Sequence, residues 1–282
     1  MAHLRLLTLV VLGCGLSGLA LATSAPPPAP TTAPTKAVVA SVYDGDTMTL
    51  DTGDKVRVSG VNTPELKPLE AYGPQARDAT AEFVLGKEIT LLYGAVNRDS
   101  YGRLLAWVRV DGKPLELELL ERGLGHVFLI PPVEIGDVGE MLATQGRARA
   151  AKRGIWSTES YQGSLHITSF HANAPGDDRE NINGEYLRVC NVLTEPVNLD
   201  GYRMNNTSGR SFPLPAVVVP PGFTFKVFSG RGEHVSDTQQ QLEVYLGSDS
   251  PIWNNSKDRA TIYDRYGKVV DARDHEVESA MD

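Results

Sequence analysis

The sequence predicts a mainly β protein of two domains, a small barrel carrying helices followed by a β-sandwich. Three observations predict it. Short β-prone runs alternate with helical patterns between residues 37 and 158. Helical spacing then disappears, and short strands separated by turn dipeptides fill 165–275. A length of 282 residues has room for two domains of this size.

The chain opens on a segment that reads as an address. Residues 1–25 begin Met1-Ala2-His3-Leu4-Arg5, run apolar from Leu6 to Ala22, and close on the small residues Ala20, Ala22 and Ala25. A short charged start, an apolar middle and a small-residue end lead us to expect a secretory signal peptide. Gly13, Gly15, Ser17 and Gly18 interrupt the apolar run, so no stable membrane span is expected in the mature chain. Cys14 follows Val11-Leu12-Gly13, which resembles a bacterial lipobox with Leu12 out of pattern. A lipid anchor at Cys14 is therefore the alternative. The expected location is secreted, periplasmic or cell-envelope. Once residues 1–25 are removed, Cys190 is the one cysteine left, and a buried thiol is expected there. Residues 26–36 are rich in Pro, Thr and Ala; proline fixes φ and lacks an amide donor, so an extended linker follows.

In the first domain, the runs at 38–42 and Thr47–Leu50 flank Asp44-Gly45-Asp46. Thr52-Gly53-Asp54 signals a hairpin into a third run over 55–61. Residues 70–85 place Ala76, Ala79, Phe83 and Val84 on one side of a helix. Two alternating runs, 89–93 and Leu104–Val110, precede a turn at Asp111-Gly112. The stretch 114–122 starts with proline and stops before Gly123, as a short helix does. A longer helix is expected over 134–153, ending at Gly154. After a linker at 159–164, strands are expected at 165–170, Tyr186–Asn191, 217–219, 223–228, 242–246, 259–263 and 269–271, with a C-terminal tail over 276–282.

A net charge of -8 excludes a strongly basic coat protein, whose affinity comes from many phosphate contacts. Most of the acidity lies beyond residue 158, so the first domain is close to neutral. Bulk charge thus predicts modest, locally focused affinity for an anionic substrate, and a second domain unsuited to gripping nucleic acid.

The residues that could do chemistry lie in the first domain. Asp44 and Asp46 sit two apart at a strand end. Asn62-Thr63-Pro64-Glu65 follows an apolar strand. Oxygen-rich side chains and a free carbonyl suit a hard divalent cation, although Asp-Gly-Asp alone also describes a solvated turn. Arg57 precedes Glu65 by eight positions, and Arg103 ends the turn Asp99-Ser100-Tyr101-Gly102. Two guanidinium groups can clamp the charge that develops on a phosphodiester, and a carboxylate can deprotonate the attacking water. Singly, each arginine reads as a surface residue; their order around Glu65 raises the joint reading.

Val42-Tyr43-Asp44-Gly45-Asp46-Thr47, Val58-Ser59-Gly60-Val61-Asn62-Thr63-Pro64-Glu65, Tyr72-Gly73-Pro74-Gln75-Ala76 and Asp99-Ser100-Tyr101-Gly102-Arg103-Leu104-Leu105-Ala106 resemble the thermonuclease family of staphylococcal-nuclease-like enzymes. Leu119-Leu120-Glu121-Arg122-Gly123-Leu124-Gly125 and Arg153-Gly154-Ile155-Trp156 extend the resemblance over residues 37–158. It implies an OB-fold barrel with flanking helices, Ca2+ dependence, and hydrolysis of DNA and RNA to 3′-phosphate products. Carried over by residue, it makes Arg57, Glu65 and Arg103 catalytic, and Asp46, Asn62 and the Thr63 carbonyl metal ligands. Tyr101 matches a tyrosine near the substrate phosphate. Asn62 stands where the family has a second metal carboxylate, which implies weaker calcium binding or another divalent cation. Two family tyrosines expected after Gly125 are absent, and Phe128 is the only aromatic nearby.

Gly184-Glu185-Tyr186-Leu187-Arg188-Val189, Val219-Pro220-Pro221-Gly222 and Asp264-Arg265-Tyr266-Gly267-Lys268-Val269 resemble the lamin tail domain, an immunoglobulin-like sandwich. That implies an accessory module with an unknown ligand. The expected protein is a monomeric, secreted or envelope-associated nuclease. The rival reading is a nuclease-like domain that binds nucleic acid or protein with weakened chemistry.

Overall fold

A computed structural model describes residues 33–133 and 136–277. The expected signal peptide, Cys14, most of the 26–36 linker and the last residues of the C-terminal tail lie outside the described residues.

The first domain contains β1 (Lys36–Val42), β2 (Thr47–Leu50), β3 (Lys55–Val58), β4 (Gly60–Asn62), α1 (Gly73–Val84), β5 (Glu88–Leu92), β6 (Leu104–Val110), β7 (Lys113–Pro114), α2 (Leu115–Arg122), β8 (His126–Phe128) and α3 (Val138–Ala150). Antiparallel pairings join β1 to β2, β2 to β3, β1 to β5 and β5 to β6. A parallel pairing of β3 with β6 closes the ring, giving a five-stranded OB-like barrel. Alternation fills it: Ala37 and Val39 of β1 point inward while Lys36 and Val38 face out. Val39, Met48, Val56, Ile89, Leu104 and Val108 form its buried centre. Burying each such side chain stabilises the fold by roughly 1.5–3 kcal/mol.

The helices plug the barrel. α2 buries Leu115, Leu119 and Leu120 and ends where Gly123 turns left-handed at φ 67°, its amide donating to the Leu119 and Leu120 carbonyls. α1 starts at Gly73, later than the expected 70, because Tyr72 is itself left-handed at φ 70°. α3 starts at Val138, where the Asp137 carboxylate caps the amide of Glu140 at 2.9 Å. The run expected over 55–61 divides at Ser59. Gly60 sits at φ +81° beneath Trp107, where a Cβ would come within 2.4 Å of the indole ring, so only glycine fits this corner. β4 then leaves the barrel and pairs with β8, setting Asn62 opposite His126.

The second domain is an immunoglobulin-like sandwich. Its strands are β9 (Leu165–His171), β10 (Tyr186–Asn191), β11 (Val197–Asn198), β12 (Arg203–Asn205), β13 (Ser211–Pro213), β14 (Val218–Val219), β15 (Thr224–Phe228), β16 (Leu242–Tyr245), β17 (Lys257–Tyr263) and β18 (Val269–Glu276). One sheet runs β16-β15-β10-β9, the facing one β13-β12-β17-β18, and β11 pairs with β14. Leu187, Val189, Phe225 and Val227 of the first sheet pack with Met204, Ala260 and Ile262 of the second, and Trp253 joins them.

The two domains are stitched together. β8 continues into Leu129, whose amide donates to the Gly222 carbonyl at 2.8 Å and whose carbonyl accepts from the Thr224 amide at 3.0 Å. Gln145 of α3 accepts from the Val127 amide at 2.6 Å and donates to the Val192 carbonyl at 3.1 Å. Trp156, Tyr161, Cys190 and Val192 form a third buried cluster at this seam. The 159–164 segment is therefore packed, with Tyr161 only 5% exposed. Among the described residues no helix is long and apolar enough to cross a membrane.

Candidate active site

Asp44-Gly45-Asp46 joins β1 to β2. The Asp46 amide donates to Asp44 Oδ1 at 3.0 Å, which closes the turn, and both carboxylates face one cleft. A Cβ on Gly45 would lie 2.6 Å from Thr63 Oγ1 and 2.7 Å from Ala76 Cβ, so the turn is pressed against α1 and the segment after β4. Thr80 of α1 holds it by donating to the Gly45 carbonyl at 2.6 Å.

Sheet register places the arginines. Thr47 of β2 pairs with Arg57 of β3, which sets Arg57 beside Asp46. Arg57 pairs in parallel with Leu105 of β6; Arg103 lies two residues earlier and so on the same face. Both arginines, Asp46, Asn62, Glu65 and Tyr101 line a single cleft of about 610 Å³. Thr63 sits behind it, 2% exposed. Six of the seven residues named from sequence thus meet in one place, and the seventh supports it.

The contacts are specific. Asp46 Oδ2 accepts from the Thr63 amide at 2.9 Å and the Thr63 hydroxyl at 3.1 Å, while Asp46 Oδ1 lies 3.1 Å from Arg57 Nε. Arg57 Nη1 donates to the carbonyls of Val58 and Val61 at 2.7 and 2.9 Å, and Nη2 donates to Asn62 Oδ1 at 2.9 Å. Asn62 therefore braces the arginine in this state. Arg103 Nε donates to Asp99 Oδ2 at 2.7 Å, leaving its terminal nitrogens toward the cleft. Tyr101, 76% exposed, sets its ring 5.6 Å from the Arg103 guanidinium.

The acidic side of the cleft crowds several carboxyl groups together. Burial, then Asp46, push the Asp44 carboxyl up to about 6. Burial, then Asp46, Asp44 and Glu70, push Glu65 up to about 7. Carboxylates that raise one another in a half-buried cleft, beside the oxygen atoms of Thr63 and Asn62, make a donor set that fits a hard divalent cation. Among the described residues no three His, Cys, Asp or Glu side chains make a metal cluster by themselves, so such a cation would also draw on the Thr63 carbonyl and water.

Sequence reasoning missed the supports. Glu70 Oε2 accepts from the Glu65 amide at 3.0 Å, and Glu70 Oε1 pairs with Arg273 of the second domain at 2.8 Å. Asp99 was legible as the partner of Arg103 four residues on; Arg273 carried no local signal.

Comparison with known proteins finds two matching families along the chain. Residues 55–158 match the family described as Staphylococcal nuclease homologue, and residues 158–276 match Lamin Tail Domain. The Thermonuclease of Staphylococcus intermedius is 31% identical over 128 residues, covering 42% of this chain and 74% of that protein. Endonuclease YncB of Bacillus subtilis is 33% identical over 126 residues, covering 42% of this chain and 60% of that protein. The SPbeta prophage-derived endonuclease YokF of Bacillus subtilis is 32% identical over 126 residues, but the match covers only 43% of its length. On its barrel, its cleft and these relatives, the chain belongs to the staphylococcal nuclease homologue family, with a lamin tail domain behind the barrel.

Proposed function

We propose that the protein is a secreted or envelope-associated, metal-dependent endonuclease that hydrolyses phosphodiester bonds of DNA and RNA. The observation that carries this is the convergence of Arg57, Arg103, Glu65 and Asp46 on one cleft. Asp46, the Thr63 carbonyl and Asn62 would hold a calcium ion or another divalent cation. When bound, that ion stabilises negative charge on the phosphoryl oxygens as a Lewis acid.

Arg57 and Arg103 grip the scissile phosphate from adjacent strands and strengthen their hold as charge builds on its oxygens. Glu65, a carboxylate poised near neutrality, takes a proton from the attacking water. The water oxygen bonds to phosphorus, the bond to the 5′ oxygen breaks, and that oxygen takes a proton from solvent. The products are a 3′-phosphate and a free 5′-hydroxyl. Asp46 and Asn62 hold Arg57 at the angle this requires.

The test is cleavage of DNA and RNA by the purified protein with calcium, magnesium or manganese, with analysis of product ends. Arg103→Ala or Glu65→Gln is expected to lower kcat/KM by at least about a hundredfold. Wild-type rates in either variant would mean that the site is elsewhere. Binding of single strands without turnover would mark a binding module instead.

A further inference from the structure

The cleft has a second wall, and the lamin tail domain builds it. In β10, Leu187 and Val189 point into the sandwich, so Tyr186, Arg188 and Cys190 point out. Lys226 of β15 is the register partner of Arg188, and Phe228 is that of Tyr186. At the Cys190 end this outer face is sealed against the barrel by Val127 and Leu129. At the Arg188 and Tyr186 end it opens into the same cleft that holds Arg57 and Arg103.

This open end is cationic and aromatic. Arg188 is fixed by donating from Nη1 to Thr224 Oγ1 at 3.2 Å and to Gln241 Oε1. Lys226 Nζ lies 4.7 Å from the Tyr186 ring centroid and 5.6 Å from that of Phe228. The His171 and Tyr186 rings stack with centroids 4.3 Å apart. Among the described residues neither Arg188 nor Lys226 has a carboxylate within ion-pair distance. Glu243, next in the row, instead accepts from the Tyr245 hydroxyl at 2.6 Å. Two cations side by side on a sheet repel each other unless an anion joins them. Burial, then Arg188, draw the lysine's proton affinity down, and Glu243 across the row offsets this only in part. Burial, then Tyr101 on the barrel side, push the Tyr186 hydroxyl up.

We propose that this face of the tail sheet is the second half of the substrate site: Arg188 and Lys226 take backbone phosphates flanking the scissile bond, and Tyr186, packed between His171 and Lys226, holds the lysine in place. The occupant is a single-stranded polynucleotide, because its flexible backbone can bend to bring flanking phosphates to the cations on both walls of the cleft. The proposal rests on the nuclease reading of the cleft and adds that the tail sets its reach along the strand.

The full chain, as wild type and with Lys226→Gln or Tyr186→Leu, is assayed on single-stranded oligonucleotides of 2 and 12 nucleotides. The expected result is a rise in KM of about fivefold to tenfold on the longer substrate, with a smaller rise on the dinucleotide and little change in kcat. In Lys226→Gln the salt dependence of binding should flatten by about 0.7 of a log–log unit, the share of one phosphate on a single strand. Arg259→Gln, on the opposite sheet, is the control and should behave as wild type. Equal KM values for wild type and both variants on the 12-mer would overturn the proposal. If the wild type cleaves nothing, the nuclease reading falls by itself. Fluorescence anisotropy of the labelled 12-mer then decides this one: weaker binding by Lys226→Gln upholds it, and equal binding ends it.

Discussion

Glu65 is held from both domains. Its amide donates to Glu70, and Glu70 in turn pairs with Arg273 of β18. Arg273 acts on the reaction only through the position of that carboxylate. Arg273→Gln is expected to lower kcat about tenfold with little effect on KM, and Arg273→Lys to restore part of it; steady-state kinetics on one oligonucleotide would separate the two. Like Gly60, Gly45 leaves no room for a side chain. Gly45→Ala drives a methyl into Thr63 and Ala76, and should cost about 1–3 kcal/mol in denaturant unfolding while loosening the pairing of Asp46 with Thr63. Asp46, Arg57, Glu65 and Arg103 were legible in the sequence because each lies in a short motif whose neighbours are also diagnostic. Glu70 and Arg273 were not. Their partnership is set by how two domains dock, and no local pattern records it.

At the scale of elements, the barrel strands were legible from alternation and turn dipeptides, and α2 from its proline and glycine ends. The misplaced boundaries have local causes: a left-handed Tyr72 delays α1, and Gly60 under Trp107 splits one run into β3 and β4. β8 was missed as a strand, since three residues are too few to show a period. It carries a pH response. His126 is wholly buried between Phe128, Tyr161 and His166, its Nδ1 donating to the Val127 carbonyl at 2.9 Å. Burial, then the neighbouring His166, pull its pKa down to about 3. The unfolded chain binds this proton near pH 6.5 and the folded one does not, so the folded state loses ground as pH falls from about 6.5 toward 3. Thermal unfolding followed across that window should show a steeper loss in wild type than in His126→Gln.

At the scale of the molecule, the acidic balance of the second domain described it on average and missed its arrangement. Arg188 and Lys226 are register partners on the one face that meets the cleft, which a count of charges over a hundred residues averages away. The seam between the domains is equally hidden from local reading, because Cys190, Val127 and Trp156 become neighbours only after both domains form. Cys190 Sγ lies 3.3 Å from the Val127 carbonyl, and burial pushes its thiol pKa up. A thiol reagent should therefore leave Cys190 untouched in the native chain and label it only as the domains part or unfold, which a labelling time course in rising urea would show. Removing residues 165–282 should expose Val127 and Leu129 and leave a barrel that unfolds at lower temperature and binds a hydrophobic dye.

The short bridge from Leu129 to the second domain also imposes an order in time. The Leu129 carbonyl accepts from the Thr224 hydroxyl, a residue 95 positions later. At a synthesis rate of about 5–20 residues per second, the barrel waits roughly 5–20 s for the strand that completes its rim. A half-made chain therefore holds Arg57 and Arg103 on a barrel whose neighbouring wall does not yet exist. On the proposed reading, both walls of the cleft can hold a strand only after residues 186–228 have been made.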